Sequence, residues 1–192
     1  KQTVWLPPPK TRLNRDTGEM ELVPLKISDI RKAIAYNPHF NAVLIDDILQ
    51  EYKNKKSCIV FCHEKEHCKN IYETLIENGV AKNHLQIYSS DNREPKSIIK
   101  KRAENKEVLI TIATFAIATE GTNVKAWERG FLASTIANKK DLIQTIGRLR
   151  RRKAGKKDVV VYDYRFPNVA GARKHGDIRD NVYDEFRFKV IS

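Results

Sequence analysis

Residues Ser57-Cys-Ile-Val-Phe-Cys62 form an unbroken apolar run that follows the charged Lys53-Asn-Lys-Lys56. A strand with one wet face alternates apolar and polar residues, so a run without alternation needs cover on both faces, as a strand inside a parallel sheet does. Parallel strands cannot be joined by a tight turn and need a crossover, most simply a helix. The next residues supply one: Cys68, Ile71, Tyr72, Leu75 and Ile76 recur at helical spacing over 64–78, and Gly79 stops the helix.

The alternation then repeats. Residues 85–88 read as a strand, 93–105 as a basic helix burying Ile98 and Ile99, and 108–112 as a strand. Residues 116–118 read as a short turn or helix, 130–133 as a strand, and 158–164 as the strand that closes the sheet after an arginine-rich helix. The predicted fold class is α/β, a doubly wound, mostly parallel five- to six-stranded sheet flanked by helices. Ligands of such sheets gather at the carboxyl ends of the strands, where Cys62-His63, Ser89-Ser90-Asp91, the 111–114 segment and Ser134-Thr135 are expected.

Ahead of the sheet, residues 4–6 read as a strand ended by Pro7-Pro8-Pro9, with a turn over 14–18 and a return strand over 20–25. Residues 1–26 are therefore expected to be a linker or entry ribbon. Ser28 is placed as the cap of a helix reaching Tyr36, and Asn37-Pro38 as the start of another with Phe40, Leu44, Ile45, Ile48, Leu49 and Tyr52 inward. The main domain is set at 27–165. Residues 166–192 form an extension, an irregular basic loop containing Gly171 and Gly176 and then a helix over 177–188.

Lys and Arg outnumber Asp and Glu by 36 to 24, a formal charge of +12, which points to a polyanionic partner, nucleic acid first. Cys58, Cys62 and Cys68, an odd set around one strand and helix, fit reduced thiols better than a disulfide framework. No apolar run approaches the roughly 18 residues of a membrane span, and no signal-peptide pattern opens the chain. The expected setting is the cytoplasm, including a nucleoid or a virus-infected cell, with no membrane partner.

Most of the charge that suggests function lies in residues 141–157, DLIQTIGRLRRRKAGKK. Leu142, Ile143, Ile146 and Leu149 mark a buried stripe, whereas Gln144, Arg148 and Arg151 recur every three or four residues on another. Read alone, the stretch is a solvated basic helix. Its neighbours change that. Gln144-x-x-Gly147-Arg148-x-x-Arg151 resembles the last signature motif of superfamily 2 helicases and translocases, and Thr111-Ile-Ala-Thr-Phe-Ala-Ile-Ala-Thr-Glu-Gly121-Thr-Asn123-Val resembles the motif before it. Strand order and spacing match that family's second, RecA-like lobe over roughly 55–165, and the Glu-Gly-Thr-Asn-Val-Lys phrase is similar to phage-type branch-migrating members.

The resemblance implies roles. Phosphoryl transfer concentrates charge on the γ-phosphate oxygens, and planar guanidinium groups aimed there act as arginine fingers, the part implied for Arg148 and Arg151. Gln144 would report nucleotide state. Gly121 and Asn123 would lie against bound ATP, where the bland alternatives are a turn and a cap. Cys62, His63, Ser89, Ser90 and Thr114 would line one nucleic-acid backbone, though each also suits a cap or turn. Arg150, Arg152, Lys153, Lys156 and Lys157 are expected to be ordinary surface charge.

No G-x-x-x-x-G-K-[ST] loop occurs, so ATP and Mg²⁺ are expected to be held mainly by an N-terminal RecA-like lobe upstream in a longer protein. The isolated chain is then inactive alone, and its other partner is DNA more than RNA. Two other readings compete. One is an ATP-independent nucleic-acid-binding module that keeps the fold. The other takes His63-Glu64-Lys65-Glu66-His67, a literal H-E-x-x-H, as a zinc hydrolase signature, although His63 falls at a helix cap, not within a helix.

Overall fold

The computed structural model describes residues 10–13, 17–23, 26–119, 123–136, 138–166 and 169–189. A short antiparallel ribbon comes first, β1 (Lys10–Leu13) against β2 (Met20–Val23), with Gly18 at φ +71° in the turn between them. The strand that pairs with β2 thus lies beyond the three prolines. The one expected at 4–6 falls outside the described residues.

Two helices follow, α1 (Ile27–Ala35) and α2 (Pro38–Lys53). Asn37 caps α2 as its sequence predicts, its Oδ1 accepting from the Phe40 N–H at 2.8 Å. Ser28 does not cap α1. The helix already includes Ile27, and Lys26 stands at the cap position.

The sheet is built from β3 (Cys58–Cys62), β4 (Leu85–Tyr88), β5 (Ile110–Thr114), β6 (Arg129–Leu132) and β7 (Val160–Asp163). All pairings are parallel, in the order β4-β5-β3-β6-β7. Between them run α3 (Lys65–Glu77), α4 (Lys96–Glu104), α5 (Phe115–Thr119) and α6 (Lys139–Leu149), and α7 (Ala170–Glu185) comes last. Gly79, at φ +87°, ends α3 in the left-handed conformation its sequence position predicts.

The central strand β3 divides its side chains between two cores. Cys58, Val60 and Cys62 pack with α1, α2 and α3, while Ile59 and Phe61 pack with α4, α5, α6 and the end of α7. Each is at most 1% exposed, and full burial of one such aliphatic or aromatic side chain contributes about 1.5–3 kcal/mol.

Three boundaries differ from the sequence reading. Pro95, which cannot sit inside a helix, leaves α4 to begin at Lys96, and the rotation buries Ile99 at 1% exposure while Ile98 stands at 44%. The arginine-rich helix α6 ends at Leu149, so Arg151 lies past its end. The tail helix begins at Ala170, not at 177, so Gly171 and Gly176 are helical. Both serve close approach. A Cβ on Gly171 would come within 2.7 Å of Ile30 Cδ1, and one on Gly176 within 2.9 Å of Arg165 Nη1.

At the amino ends of the strands a buried Arg129–Glu51 ion pair extends to an exposed Asp158. Arg129 Nε donates to Glu51 Oε1 at 2.8 Å and its Nη2 to Asp158 Oδ2 at 3.1 Å, and the Tyr162 hydroxyl adds a bond to Glu51 at 2.6 Å. Removing one member strands a charge in the interior. Arg129→Met is expected to cost roughly 3–5 kcal/mol in urea unfolding, and Glu51→Met in the same chain to recover most of it.

Inside the first core, His67 is buried, its Nε2 bonded to Asn41 Oδ1 at 2.8 Å. Burial lowers its pKa to about 4. The unfolded chain binds the proton near pH 6.5 and the folded one only near 4, so stability falls as pH drops across that window, by on the order of 3 kcal/mol. Unfolding followed from pH 7 to pH 4 should show this slope, and His67→Gln should reduce it, leaving the share that the similarly lowered His63 contributes.

Candidate functional site

The strand ends meet the expectation for a doubly wound sheet. Cys62 pairs with Thr114 at the carboxyl end, with His63 next in the chain, and Ser134-Thr135 follow β6 on the other side. Their side chains are not equivalent. Cys62 shares the inward phase of Val60 and is 0% exposed, and burial raises its thiol pKa well above the ordinary value. Its thiol therefore cannot line a ligand as expected; only its peptide group lies at the edge.

Ser89 is mostly a turn builder. Its N–H donates to Asn92 Oδ1 at 2.6 Å and its hydroxyl accepts from the Asp91 N–H at 3.4 Å, while Ser90 is exposed beside it. Thr114 is 7% exposed. His63 is half-buried with its ring 4.5 Å from Phe115, and burial, then the Arg31 charge, lowers its pKa to about 4.

The two sequence motifs converge on one another. Asn138 caps α6, its side chain accepting from the Lys140 N–H at 2.9 Å, and Leu142, Ile146 and Leu149 bury the helix's inner stripe. Gln144 is exposed on the helix, and Arg148 is half-buried a turn later. Just past the helix end, Arg151 Nη1 donates to Asn123 Oδ1 at 2.5 Å. Burial and then the Arg151 charge lower the pKa of Arg148, so two guanidinium groups are held near one another against their repulsion. Such a pair favours an anion between them. Gly121 falls outside the described residues.

Lys156 corrects the expectation of plain surface charge. Its ammonium donates to the carbonyls of Leu149, of Arg151 at 3.3 Å and of Lys125 at 3.2 Å. It thereby satisfies carbonyls at the end of α6 and ties that end to the segment carrying Asn123. Lys153 is likewise engaged, 3.0 Å from Glu104. The run of charges hid these contacts, because nothing in sequence separates a stapling lysine from a solvated one.

A second arginine escaped the sequence reading altogether. Arg179, 1% exposed on α7, donates to Asp163 Oδ2 at 2.9 Å and to the Tyr164 carbonyl at 3.2 Å, and also reaches Thr135 Oγ1 at 3.4 Å. Tyr183 adds a bond to Asp163 at 2.8 Å, so α7 is clamped across the ends of β6 and β7. Arg31, Asn138 and Asp141 were missed as well. With His63, Phe115, Ala116 and Ile136 they line a cavity of about 250 Å³ at the strand ends. The H-E-x-x-H pair is not presented as a ligand set: His67 is buried against Asn41, and no group of three or more His, Cys, Asp or Glu among the described residues is placed to hold a metal. No helix among them is long and apolar enough to cross a membrane.

Comparison with known proteins agrees with this fold. The chain is 30% identical over 111 residues to the ATP-dependent DNA helicase uvsW of Enterobacteria phage T4, a match spanning 58% of this chain and 22% of that protein. The chain therefore accounts for only that minor part of the curated relative's length. Among solved structures, T4 UvsW superposes with a TM-score of 0.58 at 24% identity, covering 83% of this chain and 34% of that one. The DUF1998 helicase MrfA bound to DNA and AMPPNP gives a TM-score of 0.58 at 18% identity, over 73% of this chain and 20% of that one. The C-terminal domain of the DEAD-box protein Dbp5 gives 0.56 at 19%, over 76% of this chain and 79% of its own. At these identities the structural likeness speaks for the fold. The family model for the helicase conserved C-terminal domain matches residues 40–153, a span holding both motifs and the carboxyl ends of β3 to β6, and the chain belongs to that family, the second RecA-like lobe of superfamily 2 helicases.

Proposed function

We propose that this lobe is the C-terminal half of an ATP-dependent DNA helicase or translocase, and that it completes an ATP site whose phosphate-binding half lies in an upstream lobe. The carrying observation is the Arg151–Asn123 bond of 2.5 Å beside Arg148, which brings two distant motifs to one cationic face. Arg148 and Arg151 act as fingers on the transferring phosphoryl group, and Gln144 reports nucleotide state. Asn123 orients Arg151. Mg²⁺ and the phosphates are held mainly by residues of the other lobe. Since the fingers and that site belong to different lobes, hydrolysis requires cleft closure, which couples it to movement along nucleic acid.

The strand ends grip the nucleic-acid backbone through Thr114, Ser89, Ser90 and the peptides at Cys62 and His63, contacts that fix position without reading sequence. The +12 charge favours this partner, and the DNA helicase relative favours DNA. Residues 1–26 serve as the entry from the upstream lobe.

In the full-length protein, Arg151→Ala is expected to lower DNA-stimulated ATP turnover by about 10³-fold or more, and Asn123→Ala by less, since it leaves the guanidinium in place. Unchanged stimulated turnover in Arg151→Ala overturns the finger assignment, whereas a full-length protein without ATP turnover assigns the lobe to ATP-independent nucleic-acid binding. For the isolated chain, anisotropy titrations should show weak single-stranded DNA binding that falls steeply with salt as counterions are released. Tight, salt-insensitive binding contradicts a backbone grip.

A further inference from the structure

We infer that the cavity at the carboxyl ends of β3 and β6 takes a single unpaired nucleobase, with Arg31, His63 and Asp141 meeting its polar edge. The inference rests on the nucleic-acid reading above and adds a base contact to a backbone grip.

The location comes from topology. In the order β4-β5-β3-β6-β7, β3 hands the chain through α3 toward one edge, and β6 hands it through α6 toward the other. Neighbouring strands whose connections diverge open a crevice, and this is where doubly wound sheets hold their ligands. The cavity of about 250 Å³ lies there, between His63 after β3 and the Ile136, Asn138 and Asp141 wall, with Arg31 of α1 and Phe115 completing it.

Its polar groups ask for a ligand that both donates and accepts. The His63 ring bonds to the Thr135 backbone in a way that favours its protonated form, so the ring donates there. The Nε2 atom is buried without a partner, which leaves Nδ1 as that donor and Nε2 as a bare acceptor. Arg31 Nε is a buried donor, also without a partner. Ser134 Oγ, in a residue 5% exposed at the end of β6, is buried and unpartnered as well. An orphan acceptor and an orphan donor at one cavity suit the amide-like edge of a base.

Charge separates a base from a phosphate. Arg31 is attracted by Glu64 and Asp141, so two carboxylates offset its single positive charge, and burial keeps His63 neutral. A phosphate entering here gains no net cation, whereas an uncharged heterocycle finds Asp141 to accept from its amino groups and Arg31 to donate to its oxygens and ring nitrogens. The walls also fit. Phe61 and Phe115 stack at 5.5 Å with 23° between planes, His63 continues the series 4.5 Å from Phe115, and this ladder of rings ends at the cavity. A base adds one more step to it.

The test compares the whole chain's affinity for a short single-stranded DNA and for its abasic counterpart of equal length and phosphate charge. The abasic strand is expected to bind about tenfold more weakly, and the gap to close to about twofold or less in Arg31→Ala and in Asp141→Asn. Equal affinities for wild type mean that the cavity holds only water; this overturns the base site and leaves backbone binding standing. A gap that persists in both variants places the base elsewhere and overturns it too. Binding of neither strand overturns the nucleic-acid reading and this inference together.

Discussion

The double-faced burial of β3 is the constraint on which the molecule depends. With no wet face, the strand needs a helical layer on each side, and its alternate residues become the floor of two separate cores. Those layers come from the crossovers that parallel pairing requires. Once β3 is central, the chain goes out to β4 at one edge, returns to β5 beside β3, then crosses to β6 and out to β7 at the other edge. The strand ends between these halves are then left as a crevice, with the polar residues that follow each strand gathered around it. The site is thus a geometric by-product of how the core is covered.

The cationic face owes its shape to a second layer of contacts. An arginine on a helix end is a flexible chain, and holding two near each other costs Coulomb energy that packing must offset. Here Lys156 fastens the carbonyls of Leu149 and Arg151 to that of Lys125, and Asn123 receives the Arg151 guanidinium. Below the sheet, the Glu51–Arg129–Asp158 network fixes the amino ends of the strands, and above it Arg179 fixes the carboxyl ends of β6 and β7 through Asp163. Buried arginines at both ends of one sheet make its strand register hard to slip, since a shift would strand their charges.

Much of this was legible in the residues. An unbroken apolar run placed β3, helical period placed α2, α3 and the buried stripe of α6, and Asn37-Pro38 and Gly79 marked helix limits because their chemistry acts locally. The misplacements have equally local causes. Gly171 and Gly176 looked like breakers, but in α7 they exist for Ile30 and Arg165, which are distant in sequence. Cys62 looked like an edge residue because it ends a strand, yet its phase points it inward. Arg31 and Arg179 carried no signal, since an arginine on a helix acquires meaning only from what it faces.

The sequence by itself determined the class of fold, the central strand, the order of the elements and the two motifs that mark a helicase C-terminal lobe, because hydrophobic period and motif spacing are properties of contiguous residues. Only the tertiary structure decided which side chains meet: Arg151 with Asn123, Lys156 with three carbonyls, Arg179 with Asp163, and Arg31 with the crevice of His63. Each of those contacts joins segments separated by other elements or by the end of a helix. Their partners are set by how layers dock, a choice made by packing over the whole core and written in no single stretch of the chain.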